Sequence, residues 1–425
     1  MGGLPSRRGN MKKLTDFKEE IHKCSKCGLC QSVCPVYNIT GNDCSVSRGK
    51  FIMLNGIIKG DLKLNKNVNK YLDMCLKCNA CKNFCPSGID ARQIFLTAKS
   101  EYFQTCSSSN FIKAFQSKLV FTCILNMAKI ASKTYRFIKF DKIVNKFYPM
   151  FQKMGWLGKK IILANEFVGG TSIQPYASKA YSPVPLFTNS PKVVYFNGCV
   201  NEYINPRTKV AVENILKKME VNILSPKFDC CGVPFLSCGN VDQFKKQAEF
   251  NLSQIPDDFD FFLTDCASCQ NAFYEYVNYI NDEKLIEKLK SINEKSINVV
   301  DFIVKNAEGF EFEEKTSFTF HKPCHLEDMS FLHEFLKKSK NVEYIEMNEF
   351  DKCCGFSGEF AIKNPEISAQ ISAKKAQNAI STKADYILTS CPACLLGLNQ
   401  GLIEEKSNLT PLNFIEFLAK STKIL

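Results

Sequence analysis

Alternating apolar and β-branched runs punctuate the second half of the chain. KVVYFNGC, ending at Cys199, and SFTFHKPC, ending at Cys324, read as strands that each deliver a cysteine. FDFFLTDCASC and ADYILTSCPAC read as buried strands running into a C-x2-C pair. Between these strands the apolar period changes to three and four, and RTKVAVENILKKME (207–220) and PEISAQISAKKAQNAI (365–380) predict helices. Strand and helix in alternation predict an α/β unit with a parallel sheet, built twice. Near the other end, DARQIFLTAKSEYFQ (90–104) predicts a helix belonging to a small helical domain.

The cysteines turn this pattern into chemistry. Cys24, Cys27, Cys30 and Cys34 recur as Cys75, Cys78, Cys81 and Cys85, each displaced by 51 residues, and a proline (Pro35, Pro86) closes each run. In a C-x2-C-x2-C-x3-C-P run, three thiolates on a tight turn hold three corners of one iron–sulfur cube and the fourth reaches the other cube. The expected sets are therefore Cys24, Cys27, Cys30 and Cys85 for one [4Fe–4S] cluster, and Cys75, Cys78, Cys81 and Cys34 for a second. Zinc sites also use C-x2-C pairs, but two identical four-cysteine runs closed by proline favour iron–sulfur.

A larger repeat follows. Cys199, Cys230, Cys231, Cys266 and Cys269 return in order as Cys324, Cys353, Cys354, Cys391 and Cys394, 123 to 125 residues later. In open α/β sheets ligands gather beyond the carboxyl ends of strands, where these cysteines fall. Five thiols there, with Gly232 and Gly355 letting the CCG turns approach closely, suit something larger than one zinc ion. Ten buried core thiols repeated in register are the less economical explanation.

Together these motifs resemble a known architecture. Cys199-x30-CCG-x33-C-x2-C and Cys324-x28-CCG-x35-C-x2-C are similar to the two cysteine-rich CCG domains of the heterodisulfide reductase B-type family. The doubled ferredoxin motif ahead of them resembles the iron–sulfur subunits of glycolate oxidase, anaerobic glycerol-3-phosphate dehydrogenase and lactate-utilisation systems. CSKCGLCQSVCPVYNITGNDCSVSRGKFIML is most like the glycolate oxidase subunit. GCVNEYINPRTKVAVENILKKM resembles the glycerol-3-phosphate subunit, and CCGFSGEFAIKNPEIS the lactate-utilisation proteins. The resemblance implies one or two further [4Fe–4S] clusters at the CCG domains and a separate FAD-containing dehydrogenase subunit. It also implies the quinone pool as eventual acceptor, so this chain transfers electrons rather than acting on substrate. A heterodisulfide reductase-like activity at a CCG cluster is the alternative it implies.

The expected fold class is multidomain α plus α/β: a mobile tail (1–16), a helical ferredoxin-type domain with two [4Fe–4S] clusters (17–104), a basic amphipathic helical linker (105–190), and two α/β CCG domains (191–305 and 315–422). At 425 residues, 45% of them hydrophobic, the chain is long enough for several cores. Its 22 cysteines, without a secretory leader, are expected to be reduced and metal-holding rather than disulfide-bonded. The twin arginines of MGGLPSRRGN meet Asp16, Glu19 and Glu20 instead of an apolar run, so no export signal is expected. No apolar run is long enough to span a bilayer. There is neither a G-x-G-x-x-G after a strand nor a G-x4-G-K-[ST], so no self-contained flavin or nucleotide site is expected.

Of the chain's net charge of +12, residues 111–160 hold eleven Lys or Arg against one acid, Asp141, along with ten aromatics including Trp156. Such a segment either packs its aromatics on the CCG domains with lysines in solvent, or lies on an anionic membrane surface or a membrane-anchor subunit. No nucleic-acid reading motif accompanies it, and no nucleic acid is expected as partner. These features predict a cytoplasmic protein, peripheral at the inner face of the cytoplasmic membrane if the segment takes the second course. Cys44, Cys106, Cys123 and Cys238 stand outside both repeats and are expected to pack rather than ligate. Of His22, His321, His325 and His333, His325 alone adjoins a motif cysteine and serves either to hydrogen-bond or relay a proton near cluster sulfur, or as a capping histidine.

Overall fold

The computed structural model describes residues 12–106, 189–421 and 423–424. The basic segment expected at 111–160 lies outside them.

Seven helices form the first unit: α1 (Lys18–His22), α2 (Leu29–Val33), α3 (Pro35–Thr40), α4 (Ser47–Lys59), α5 (Lys66–Asp73), α6 (Ala80–Asn83) and α7 (Ala91–Cys106). Their limits follow from the sequence. Pro35 opens α3, where its missing N–H is not needed. The Asn65 side chain accepts from the amides of Asn67 and Val68 to start α5, and Gly60 closes α4 in the left-handed conformation. Phe17, Ile21, Phe51, Leu54, Leu72, Ile94 and Phe95 make the core between them. A 3-10 turn, Leu14–Phe17, already buries Leu14 in that core, so residues 12–16 are part of the helical unit and not of the tail in which the sequence reading placed them.

Two parallel sheets follow. β1 (Lys192–Phe196), β2 (Asn222–Leu224), β3 (Phe261–Thr264) and β4 (Ser296–Asn298) lie in the order 2-1-3-4, with Val193 opposite Phe261 and Phe262 opposite Ser296. β5 (Phe310–Phe320), β6 (Ser339–Tyr344), β7 (Tyr386–Thr389) and β8 (Thr410–Asn413) repeat that order as 6-5-7-8, with Phe318 opposite Tyr386. β9 (Lys423–Ile424) adds an antiparallel pairing to the start of β5. Four of these strands, β1, β3, β5 and β7, are the runs whose alternation ends at cysteines. β1, β3 and β7 are buried along nearly their whole length, as parallel strands covered on both faces require, whereas β5 is buried over Phe318–Phe320 and exposed at Glu313–Lys315.

One apolar core is shared by the two halves. On one side Phe196 packs edge to face on Phe273 with Phe262 tilted against both, and on the other Phe318, Phe335 and Phe417 each pack edge to face on Phe414. A buried carboxylate also links them: Thr208 donates to Glu416 at 2.6 Å and Asn205 at 3.1 Å.

The helical unit docks against both halves through charge. Arg92 pairs with Glu275 of the first half. Lys99, 1% exposed, reaches Asp73 at 2.6 Å and Glu359 of the second half at 2.7 Å. Lys363 joins Asp73 at 2.9 Å and Lys77 lies 3.6 Å from Glu359, which completes a buried network of three lysines and two carboxylates. A Cβ on Gly239 would come within 2.4 Å of the Lys99 carbonyl, so helix Val233–Cys238 and α7 approach as closely as backbone allows.

Candidate metal centres

In the helical unit the two four-cysteine loops are built alike. Lys26 and Gly28 in the first loop, and Lys77 and Asn79 in the second, all have positive φ. Left-handed residues between successive cysteines coil the chain around a centre, and that strain is of the kind found at functional sites. Cys24, Cys27, Cys30 and Cys85 line one cavity; Cys34, Cys75, Cys78 and Cys81 line a second, with Cys81 also at the edge of the first. The fourth cysteine of each run therefore faces the other run's cavity, as the spacing rule requires.

Burial pushes the Cys34 thiol up to about 11 and the Cys81 thiol up to about 12. Such thiols ionise only when a nearby cation compensates, and a coordinated metal does so. Two features already favour negative sulfur in the second cavity. The Lys77 amide donates to Cys75 Sγ at 3.4 Å. Lys50, 1% exposed, lies among Cys75, Cys34 and Cys81, donating to the carbonyls of Ser45 and Met74.

In the α/β halves, each cysteine comes from the carboxyl edge of a sheet. Cys266 and Cys391 are N-caps of helices Ala267–Tyr276 and Pro392–Glu404, directly after β3 and β7. The CCG turns need their glycines. Gly232 and Gly355 have φ of +83° and +84°, and a Cβ would sit 2.7 Å from Phe244 and 2.9 Å from Ile371 respectively.

The thiols touch in the same sequence in both halves. Cys199 adjoins Cys230, Cys230 adjoins Cys231, Cys231 adjoins Cys269 and Cys269 adjoins Cys266, each near enough to act on its neighbour's thiol. Cys324, Cys353, Cys354, Cys394 and Cys391 repeat that order. The two sets meet where Cys266 adjoins Cys391. At the opposite end Cys353 adjoins Cys78 of the helical unit. Thiols donated by their neighbours hold Cys231, Cys354 and Cys391 well below the ordinary cysteine range. Cys230, Cys266, Cys269, Cys324 and Cys394 are pushed well up by the same neighbours and by burial, and such buried sulfurs, with mainly one another as polar partners, form a donor set suited to soft metal ions.

Two histidines frame the second set. His325 stands at the junction of all three units: its Nε2 donates to the Lys77 carbonyl at 3.4 Å and its Nδ1 accepts from Ser268 Oγ at 3.2 Å. Ser268 Oγ in turn lies 4.0 Å from Cys391 Sγ. His325 thus reaches a cysteine only through Ser268, and burial together with Arg92 lowers it to about 4, so it is neutral. His321, which sequence reasoning passed over, is completely buried. One of its ring nitrogens and the sulfurs of Cys354 and Cys394 all lie within 4.8 Å of one another. Burial, aided by Lys375, lowers it to about 3. Its signal in the sequence was its place three residues before Cys324, where the first half has Phe196.

Of the remaining cysteines, Cys238 is half-buried beside the Lys99–Glu359 network, where burial pushes it up to about 12, and Cys44 is half-buried. Cys123 lies outside the described residues.

Comparison with known proteins agrees with this layout. Residues 20–89 match the 4Fe-4S dicluster domain family, and residues 193–274 and 318–399 match the cysteine-rich domain family, CCG. The chain is therefore an iron–sulfur protein in which a dicluster domain precedes two cysteine-rich domains, and [4Fe–4S] clusters are its cofactors. Nearly its whole length is similar to glycolate oxidase iron-sulfur subunits, and half of it to lactate utilization protein A. It is 24% identical over 417 residues to the probable glycolate oxidase iron-sulfur subunit of Bacillus subtilis (strain 168), covering 92% of each chain. It is 19% identical over 390 residues to the glycolate oxidase iron-sulfur subunit of Escherichia coli (strain K12), covering 88% of each. Lactate utilization protein A of Bacillus cytotoxicus is 28% identical over 221 residues, which span 50% of this chain and 92% of that protein. Among the described residues, no helix is long and apolar enough to cross a membrane.

Proposed function

We propose that this chain is the electron-transfer subunit of a flavin-dependent 2-hydroxyacid dehydrogenase complex of the glycolate or lactate type, carrying electrons from a partner's FAD toward quinone. The observation that supports it best is the unbroken run of sulfur contacts from Cys78 through both five-cysteine sets. In this reading Cys24, Cys27, Cys30 and Cys85 hold one ferredoxin-type cluster and Cys75, Cys78, Cys81 and Cys34 hold the other. Cys199, Cys230, Cys231, Cys266 and Cys269 form the third ligand set, and Cys324, Cys353, Cys354, Cys391 and Cys394 the fourth.

Bound [4Fe–4S] clusters supply one-electron chemistry across a wide range of potentials. The chain's own residues do the rest. The αL turns at Lys26 and Lys77 aim the thiols inward, the helices around Cys353 and Cys391 exclude water, and Lys50 and the Lys77 amide bias the second cavity toward negative charge. Cys81, which lines both cavities, and the sulfur neighbours beyond them support an order: the cavity of Cys24, the cavity of Cys75, the set of Cys353, then the set of Cys230. The basic segment at 111–160, with its aromatics, is the part of the chain suited to a membrane surface or a membrane-anchor subunit.

The test is anaerobic purification with iron and sulfide analysis, followed by substrate-linked reduction of an artificial acceptor with and without the co-purifying flavoprotein. Activity that needs the flavoprotein supports the proposal. A second reading, disulfide reduction at a CCG centre, is favoured by one observation, the meeting of two complete sets at Cys266 and Cys391. Turnover of a disulfide by this chain alone with a chemical reductant would select it instead. Zinc in place of iron would remove both.

A further inference from the structure

We propose that His321 is a sixth ligand donor of the second cysteine-rich half, an imidazole nitrogen that binds metal alongside Cys354 and Cys394. This rests on the reading that the second half holds an iron–sulfur centre, and it adds to that centre a ligand outside the five-cysteine motif.

Three observations converge on it. A ring nitrogen of His321 and the Cys354 and Cys394 sulfurs lie within 4.8 Å of one another, a spacing three ligands of one ion can adopt. The ring is wholly buried, and neither nitrogen has a hydrogen-bond partner. The Phe350 carbonyl is near enough to act on the ring but stands outside hydrogen-bond geometry. An imidazole offers a donor and an acceptor, and burying both unpaired is costly unless something occupies the lone pair. A metal bound at one nitrogen does so.

The third observation is the comparison between halves. Counting back from the first cysteine of each set, His321 occupies the place of Phe196. A Cβ on Gly198 would meet Cys269 Sγ at 3.2 Å and the Phe196 ring at 4.0 Å, so Phe196 and Cys269 flank the same glycine, in the same general neighbourhood that His321 and Cys394 share. Phe196, however, is packed among Phe228, Phe262 and Phe273 and needs no polar partner. A position that works as pure packing in one half has been given a nitrogen in the other, pointed at the sulfurs. His321→Phe therefore restores a side chain that the fold already accepts at the equivalent place.

The experiment uses the full-length, anaerobically purified holoprotein grown with 15N-histidine or with natural nitrogen. Pulsed electron paramagnetic resonance is recorded on the cysteine-rich-domain signals, and iron is counted. The expected result is a strong nitrogen coupling that changes on 15N-histidine labelling, persists in His325→Gln, and is lost in His321→Phe while a signal from the second half remains. His321→Cys is the second variant, and should keep the iron content while removing the coupling. Labelling-insensitive spectra in the presence of the signal, or a coupling that survives in His321→Phe, overturn the proposal and leave the cluster reading intact. An iron and sulfide content that accounts for the dicluster domain alone overturns the cluster reading, and the proposal with it.

Discussion

Replacing Glu359 by glutamine tests what holds the dicluster domain against the second cysteine-rich half. Glu359 is buried, and desolvation alone would raise its carboxyl. Lys99, Lys77 and Lys363 outweigh that and bring it from 4.5 down to about 2. At 1.36 kcal/mol for each pH unit, this difference is worth about 3.4 kcal/mol of stabilisation of the ionised, docked state, or about 300-fold in an opening equilibrium. That agrees with the roughly 3–5 kcal/mol lost when one partner of a buried ion pair is removed. Because the folded value lies below that of a free glutamate, the contribution is complete above about pH 4.5 and is lost as the pH falls toward 2. The assay is amide hydrogen exchange of α7 and of helix Gly358–Lys363. At pH 7, Glu359→Gln should open these segments at least tenfold more often, approaching the 300-fold limit, and the limit should shrink to about tenfold by pH 3. Exchange within about threefold of wild type at pH 7 would show that Asp73 alone satisfies Lys99, and would refute the calculation.

The cavities predict crossed ligand loss: Cys85→Ser should abolish the electron paramagnetic signal of the cluster held by Cys24, Cys27 and Cys30, whereas Cys34→Ser should abolish that of its neighbour; same-run losses would contradict the crossing. Gly355→Ala forces a Cβ to 2.9 Å from Ile371 and 3.0 Å from the Ser368 carbonyl at φ +84°, and should cost ~2–3 kcal/mol of stability with loss of iron from the second half. Thermal unfolding and iron analysis would show it. Lys50→Met removes a buried cation from the second cavity and should make its cluster harder to reduce; a unit charge at about 8 Å and an effective dielectric of about 20 is worth ~2 kcal/mol, or ~90 mV for one electron. Redox titration that finds an unchanged midpoint would count against that placement of the charge. Finally, the two cysteine-rich halves should titrate with separate midpoints, and one shared midpoint would mean that their unlike surroundings are electrically silent.

Much of this was legible in the sequence because spacing and alternation are local. The strands ending at Cys199, Cys266, Cys324 and Cys391 are long enough for their apolar runs to declare themselves, and the helices at 207–220 and 365–380 appear as Pro206–Lys218 and Pro365–Ile380. The outer strands escaped notice. Asn222–Leu224 and Ser296–Asn298 are three residues each, too short to show a period, and exist because a parallel neighbour pairs with them. Leu14 escaped because its burial depends on Phe51, Ile94 and their neighbours, which lie far along the chain. His321 escaped because nothing in a single imidazole distinguishes a ligand from a packed ring until Cys354 and Cys394 are seen beside it.

The repeat itself explains why the two halves need not behave alike. Duplication copied the donor atoms: the order of sulfur contacts is the same in both sets. It did not copy the surroundings. Beside Cys266 stands Asp265, a buried carboxyl that accepts from Tyr195 and Asn201 and that burial pushes up to about 7; the matching residue beside Cys391 is Ser390. Lys375 sets a buried ammonium near Cys354 and Cys353, and His321 replaces Phe196. Charge, hydrogen bonds to sulfur and burial set the potential of an iron–sulfur centre, so equal ligands in unequal surroundings make two unequal sites. The more cationic of them is the one whose Cys353 adjoins Cys78, so along the line of sulfurs the second set comes between the dicluster cavities and the first set although it is last in the chain.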